Sequence, residues 1–141
     1  MTCTFFGHKD APNDSEKRLK KIIDDLIENE GVKNFYVGNN GHFDFLAQRV
    51  LAEIKSDIDY AIVLSSINEC ALADHQDKTI FPEGFENVFP RFAICKRNDW
   101  LIKNSDFAIV YMEHKFSNCA KWVEKARKRG LKIIKLADES G

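Results

Sequence analysis

Asn34-Phe35-Tyr36-Val37-Gly38-Asn39-Asn40-Gly41-His42-Phe43-Asp44 reads as a short buried strand that turns through glycines and small amides directly into a helix. A strand feeding a helix in this way leaves the first backbone N–H groups of the helix aimed at one spot, which suits phosphate or another anion. Phe6-Gly7-His8-Lys9-Asp10-Ala11-Pro12 leaves an earlier strand in the same manner. Two such corners in one small chain point to a nucleotide-type pocket.

Working outward, five apolar runs without strict alternation read as strands buried on both faces: Thr2 to Phe6, Asn34 to Val37, Tyr60 to Leu64, Phe107 to Met112 and Lys132 to Leu136. Helical patterns separate them. Leu19, Ile22, Ile23, Leu26 and Ile27 recur at helical spacing, with Gly31 as the stop. Phe43, Leu46, Ala47, Val50, Leu51 and Ile54 form a second stripe; a third helix starts near Pro90 and runs to about Asn104, and a fourth carries Trp122, Val123 and Ala126 and ends at Gly130. Alternating strands and helices predict an α/β fold: one Rossmann-like, three-layer domain over residues 1–141, with an open, mainly parallel five-stranded sheet flanked by helices. Ser65 to Phe89 breaks the rhythm, and is read as a lid or as irregular cover packed on the sheet.

At 141 residues the chain can bury a sizeable core, and 44% hydrophobic with 30% charged residues is ordinary for a globular protein. No apolar run reaches the roughly 20 residues of a membrane span. The first residues lack a basic segment followed by a long apolar one, so the expected location is cytoplasmic. Cys3, Cys70, Cys95 and Cys119 are too widely spaced for a disulfide scaffold or zinc knuckle and read as reduced, mostly buried thiols. A net charge of −1 gives no footprint for nucleic acid, which is therefore disfavoured as a partner. Lys17-Arg18 with Lys20-Lys21, and Arg127-Lys128-Arg129, read as solvated helix faces, the first able to pair with Asp24 and Asp25.

In an open parallel sheet, ligands bind beyond the carboxyl ends of the strands. Gly7, His8, Lys9 and Asp10 follow strand one; Gly38, Asn39, Asn40 and Gly41 follow strand two, with Asp44 opening the next helix. Glu113, His114, Ser117 and Asn118 follow the strand before the last helix. Neither the dinucleotide fingerprint nor the Walker phosphate loop is present, which argues against a conventional NAD dehydrogenase or P-loop ATPase. His8, His42, His114 and Cys119 match no metal spacing, and no metal or cofactor is expected. Arg97 in Lys96-Arg97-Asn98 can point into the pocket, and Glu124 is a candidate acidic partner.

FFGHKDAP, FYVGNNGHFD, TIFPEGFENVFPRFAICKRN and NSDFAIVYM together resemble the SLOG superfamily, the Rossmann-like group of the Lonely-guy phosphoribohydrolases and the DNA-processing protein A domain. The resemblance spans nearly the whole chain and is nearest to a small stand-alone bacterial branch. Lonely-guy-like enzymes carry an Arg-Lys pair before a Ser-Asp strand, then P-G-G-x-G-T-x-x-E. Arg97 matches that arginine, whereas Asn98 replaces the lysine; Ser117 to Glu124 falls on the second register, keeping the glutamate but losing both leading glycines and the threonine. The resemblance implies a pocket for a nucleotide or nucleotide-derived ligand, with Gly7, His8, Lys9, Gly38, Asn39, Asn40, Gly41, Asp44, Arg97, Ser117 and Asn118 binding it.

Three functions follow as expectations. The first is a binding domain, a sensor or carrier for such a ligand. The second is a nucleoside-monophosphate N-glycosidase, in which Arg97 orients the phosphate and Glu124 supports the developing charge on the sugar. The third is an oligomeric interaction protein with a vestigial pocket, since eleven phenylalanines are many for this length. Members of the superfamily resemble one another in self-associating, so a homo-oligomer is expected throughout.

Overall fold

The alternation of buried residues along each strand shows how the chain divides its core. In a computed structural model that describes residues 1–7, 14–39, 41–54, 57–65, 78–111 and 118–136, the strands are β1 (Thr2–Gly7), β2 (Asn34–Val37), β3 (Asp59–Val63), β4 (Thr79–Ile80), β5 (Phe107–Tyr111) and β6 (Lys132–Lys135). Cys3 and Phe5, Phe35 and Val37, Ile62, and Phe107, Ile109 and Tyr111 turn to one face. Phe6, Val63, Ala108 and Val110 turn to the other. Successive residues of a strand point to opposite sides, so a strand covered on both sides is apolar throughout.

The helices supply the two outer layers. On the first face lie α1 (Ser15–Asn29), through Leu19, Ile23 and Leu26, and α2 (His42–Glu53), through Phe43, Leu46, Ala47, Val50 and Leu51. On the second lie α3 (Pro90–Lys103), through Leu101 and Ile102, and α4 (Asn118–Lys128), through Val123 and Ala126. Pro90 occupies the first turn of α3, where its missing N–H costs no intrahelical bond. Gly31 and Gly130, at φ +69° and +99°, follow α1 and α4 as expected of helix stops.

All five pairings in the sheet are parallel, in the order β4-β3-β2-β1-β5-β6. The order reverses between β1 and β5, where Gly7 stands beside Tyr111. Asp106 ties the opposite end of the sheet: its Oδ2 accepts from Thr2 N–H at 3.0 Å, its N–H donates to the Thr2 carbonyl, and its carbonyl accepts from Lys132 N–H.

Among the described residues the sheet has six strands where five were expected. The extra one, β4, lies within the stretch read as lid or cover. It is two residues long, pairs with Ile62 and Val63 at the sheet edge, and accepts a bond from Leu64 N–H at the Ile80 carbonyl. Two residues carry no periodicity, so only the pairing partner defines such a strand. Of the same stretch, Phe81 packs against the core and meets Phe85 edge-on at 6.1 Å, while residues 66–77 lie outside the described ones. The expected pairing of Lys20 and Lys21 with Asp24 and Asp25 does not form among the described residues; Asp25 accepts from Asn29 Nδ2 instead. No helix among the described residues is long and apolar enough to cross a membrane.

Candidate functional site

Gly38 follows β2 at the carboxyl edge of the sheet, and two charged side chains close over it from opposite layers. A Cβ built on Gly38 would stand 2.8 Å from Asp44 Oδ2, 2.8 Å from Arg97 Cζ and 2.9 Å from Arg97 Nη1. Asp44 comes from the first turn of α2 and Arg97 from the middle of α3. They meet at one point because the strand has just ended there and no side chain projects from Gly38. Gly38 is not among the residues of positive φ; what demands glycine here is close approach, not backbone conformation.

Both charges are buried, Asp44 at 7% exposure and Arg97 at 5%. A buried ion is strongly disfavoured unless opposite charge and hydrogen bonds surround it. Arg97 Nη2 donates to Asn98 Oδ1 at 3.0 Å, and Asn98 is itself buried. Asp44 sits in the first turn of α2, where the helix dipole favours a carboxylate. Gly41 caps that helix at φ +99°, a conformation that glycine adopts without strain, and its carbonyl accepts from Phe45 N–H.

Gln48, one turn after Asp44, completes the corner. It is 2% exposed, and its Nε2 donates to the Gly38 carbonyl and to Asn39 Oδ1, both at 3.0 Å. The sequence reading passed over Gln48. The available signal was a polar pair at i and i+4, Asp44 and Gln48, set within the apolar stripe of α2.

Gly7 serves a different neighbour. A Cβ there would overlap Phe43 Cγ and Cδ2 and stand 2.8 Å from Phe43 Cβ. Phe43 in turn meets Tyr111 at 6.2 Å between ring centroids. The point where the strand order reverses is therefore backed by an aromatic pair, and Gly7 makes room for it.

Thus the structure brings Gly38, Asn39, Gly41, Asp44 and Arg97 together. His8, Lys9, Asn40 and Ser117 lie outside the described residues, as do Asp10, Glu113 and His114; the backbone of Asn118 opens α4. Glu124 stands on the exposed face of α4 and accepts from Arg127 Nη1 at 3.0 Å. Lys125, its neighbour, pairs with Asp99 and joins α4 to α3. Among the described residues no group of three or more His, Cys, Asp or Glu could hold a metal ion. Of the thiols, Cys3 is buried and Cys95 exposed. Burial pushes the Cys3 thiol well above its usual range.

The N-terminus of α3 carries an apolar surface at this same edge. Helices of a parallel α/β sheet run against the strands, so α3 begins above the carboxyl ends. Phe89 is 70% and Phe92 47% exposed, and Arg91 stacks over the Phe92 ring at 4.8 Å.

The sequence matches no protein-family model, and no curated protein matches it. Its structure is similar to that of DNA processing protein A from Streptococcus pneumoniae, with a TM-score of 0.70 at 14% identity, over 95% of this chain and 49% of that one. It is also similar to that of DNA processing protein A from Helicobacter pylori, described for its single-stranded DNA binding mode, with a TM-score of 0.67 at 14% identity, over 96% of this chain and 64% of that one. The chain thus shares the Rossmann-like fold of these two proteins, and spans about half to two-thirds of their length.

That likeness overturns the expectation that nucleic acid is disfavoured as a partner, because a protein of this fold binds single-stranded DNA. Net charge is the wrong measure for such a ligand. It sums the whole surface, whereas a single strand is held by a few local cations and by stacking on aromatic rings.

Proposed function

We propose that this chain binds nucleotide units, free or within a single strand of nucleic acid, at the carboxyl edge of its sheet. The observation that carries the reading is the convergence of Arg97 and Asp44 over Gly38, a buried polar corner where an open parallel sheet takes its ligands. Arg97 contributes a planar, permanently charged donor group suited to a phosphate or a base edge. Asp44, which converges on the same point, supplies a carboxylate that accepts from ligand hydroxyl or amino groups. Phe89 and Phe92 extend the site with exposed rings on which bases stack, and Arg91 adds a cation beside them.

Titration of AMP by thermal stabilisation, and of fluorescein-labelled oligothymidylate by anisotropy, tests the two forms of ligand side by side. Stacking on one ring is worth about 1–3 kcal/mol per base, so Phe89→Ala should weaken the oligonucleotide by about five- to 150-fold. The same change should leave AMP binding and the melting temperature nearly unaltered. Arg97→Lys keeps the charge but loses the fork, and should weaken both ligands. Binding of both at wild-type strength in Arg97→Lys is the result that would remove Arg97 from the site. Sedimentation of Phe89→Ala at the wild-type rate would separate a stacking surface from a self-association surface.

A further inference from the structure

Lys17, Arg18, Lys20 and Lys21 fill the first half of α1, and Asp24, Asp25 and Glu28 fill the second. This order is unfavourable for a helix on its own. The helix dipole favours acids near the N-terminus and bases near the C-terminus, yet the last turn of α1 holds no base and its first turn one acid, Glu16. Nor do the charges answer one another within the helix. A base placed one turn before an acid is the weaker order of such pairs, and Arg18, Lys21 and Glu28 form no ion pair among the described residues.

Arg18, Lys21, Asp25 and Glu28 are exposed and share one face of α1, since each follows the last by three or four residues. They line a cleft of about 750 Å3 between α1 and β6, the outermost strand on that side of the sheet. Ile22 of α1 and Ile134 of β6, both only partly buried, give the cleft its apolar part. Lys132 and Lys135 flank β6, and lysines at a sheet edge oppose pairing with another strand. A helix suits this face better than a strand does.

We propose that this chain pairs with a second copy of itself through α1, the two helices lying antiparallel about a twofold axis level with Ile23. Arg18 and Glu28 stand five residues to either side of Ile23, and Lys21 and Asp25 stand two to either side. In that register Arg18 of each copy lies opposite Glu28 of the other, and Lys21 of each opposite Asp25 of the other. A twofold axis makes every such contact twice. The two helix dipoles then run in opposite directions, and Ile22 of both copies is covered near the centre. A charge order that is unfavourable in one helix is self-complementary in two. Exposed ion pairs are individually weak and screened by salt, so the association is modest and salt-sensitive.

Sedimentation equilibrium of the whole chain over a concentration series tests this with two variants. Arg18→Glu/Lys21→Glu makes all four positions of the face acidic, and Asp25→Lys/Glu28→Lys makes all four basic. Wild type should dimerise, and more weakly as salt is raised. Each variant alone should lose about tenfold or more in dimer affinity, because four contacts turn from attraction to repulsion. An equimolar mixture of the two should associate at least as tightly as wild type. Circular dichroism melts at concentrations below dimerisation should stay close to wild type, since the helix dipole offsets the new repulsion along each helix.

A wild-type protein that stays monomeric up to about 1 mM, the weak end of specific association, overturns the proposal. Variants that dimerise like wild type remove α1 from the interface, and a mixture that stays monomeric refutes the antiparallel pairing. If wild type is monomeric and Arg18→Glu/Lys21→Glu weakens binding of fluorescein-labelled oligothymidylate, the face belongs to a nucleic-acid strand and the second copy is refuted. Should either variant fail to fold, the exchange Arg18→Glu/Glu28→Arg keeps the pair with its ends reversed. It must then dimerise like wild type, and Arg18→Glu alone must not.

Discussion

Gly38→Ala adds one methyl group at the point where Asp44 and Arg97 converge, and its cost can be estimated from three contacts. The new Cβ would lie 2.8 Å from Asp44 Oδ2, 2.8 Å from Arg97 Cζ and 2.9 Å from Arg97 Nη1. All three are inside the closest approach that carbon tolerates, so at least one buried charge must move. Overpacking of a closed site by a methyl costs about 1–3 kcal/mol. If Arg97 yields, its bond to Asn98 weakens and adds about 1 kcal/mol. We expect a destabilisation of about 2–4 kcal/mol, which for a chain of this length lowers the melting temperature by about 7–13 °C. Urea denaturation with thermal melting measures both. Gly31→Ala is the control, because its φ of +69° strains an alanine but nothing lies within 4 Å; strain alone costs about 1–2 kcal/mol there. In an Arg97→Ala background the Gly38→Ala cost should fall by about 1 kcal/mol or more, since two of its three contacts are gone. A Gly38→Ala protein destabilised by less than about 0.5 kcal/mol, or an additive double mutant, refutes the convergence.

The other expectations concern the rest of the framework. Gly7→Ala meets three atoms of the buried Phe43 side chain, two of the ring and Cβ, which rotation about the side-chain bonds cannot move, so its denaturation midpoint should fall further than that of Gly38→Ala; Phe43→Leu in the same chain should recover part of the loss. Glu124→Ala breaks an exposed pair and should change stability by less than about 0.5 kcal/mol. If Glu124 takes part in cleaving a glycosidic bond, mass spectrometry of a nucleoside monophosphate panel would show free base released by the wild type and lost in this variant. Iodoacetamide followed by peptide mapping should label Cys95 in the native protein and leave Cys3 unlabelled until denaturant is added. The raised Cys3 pKa also has a sign. Above about pH 9, the ordinary thiol value, the unfolded chain loses a proton that the native one keeps, so stability present at neutral pH should decline as pH rises further. A flat stability profile from pH 8 to 10.5 in wild type and Cys3→Ala alike would contradict this.

The sheet and its helices were legible in the sequence because their signals are local. Apolar runs such as Phe107 to Tyr111 declare burial on both faces, and stripes such as Leu19, Ile23 and Leu26 declare one buried face. Helix ends were legible for the same reason, through Pro90, Gly31 and Gly130. The two-residue β4 was not, since a strand of that length exists only through its pairing with β3. Nor could net charge show what the surface around Phe89 and Arg91 presents, because a sum over the chain discards position.

The sequence by itself determined the α/β order, and it made the carboxyl edge the candidate place for a ligand and Gly38, Asn39, Asp44 and Arg97 candidate residues, since the strand and helix signals are local. Only the tertiary structure decided that Asp44 and Arg97, from opposite layers, share one point over Gly38, and that Gln48 holds Asn39 by its oxygen. Those contacts join residues distant along the chain, or depend on which face of a helix is buried. Close approach is a property of three-dimensional packing that no local pattern encodes.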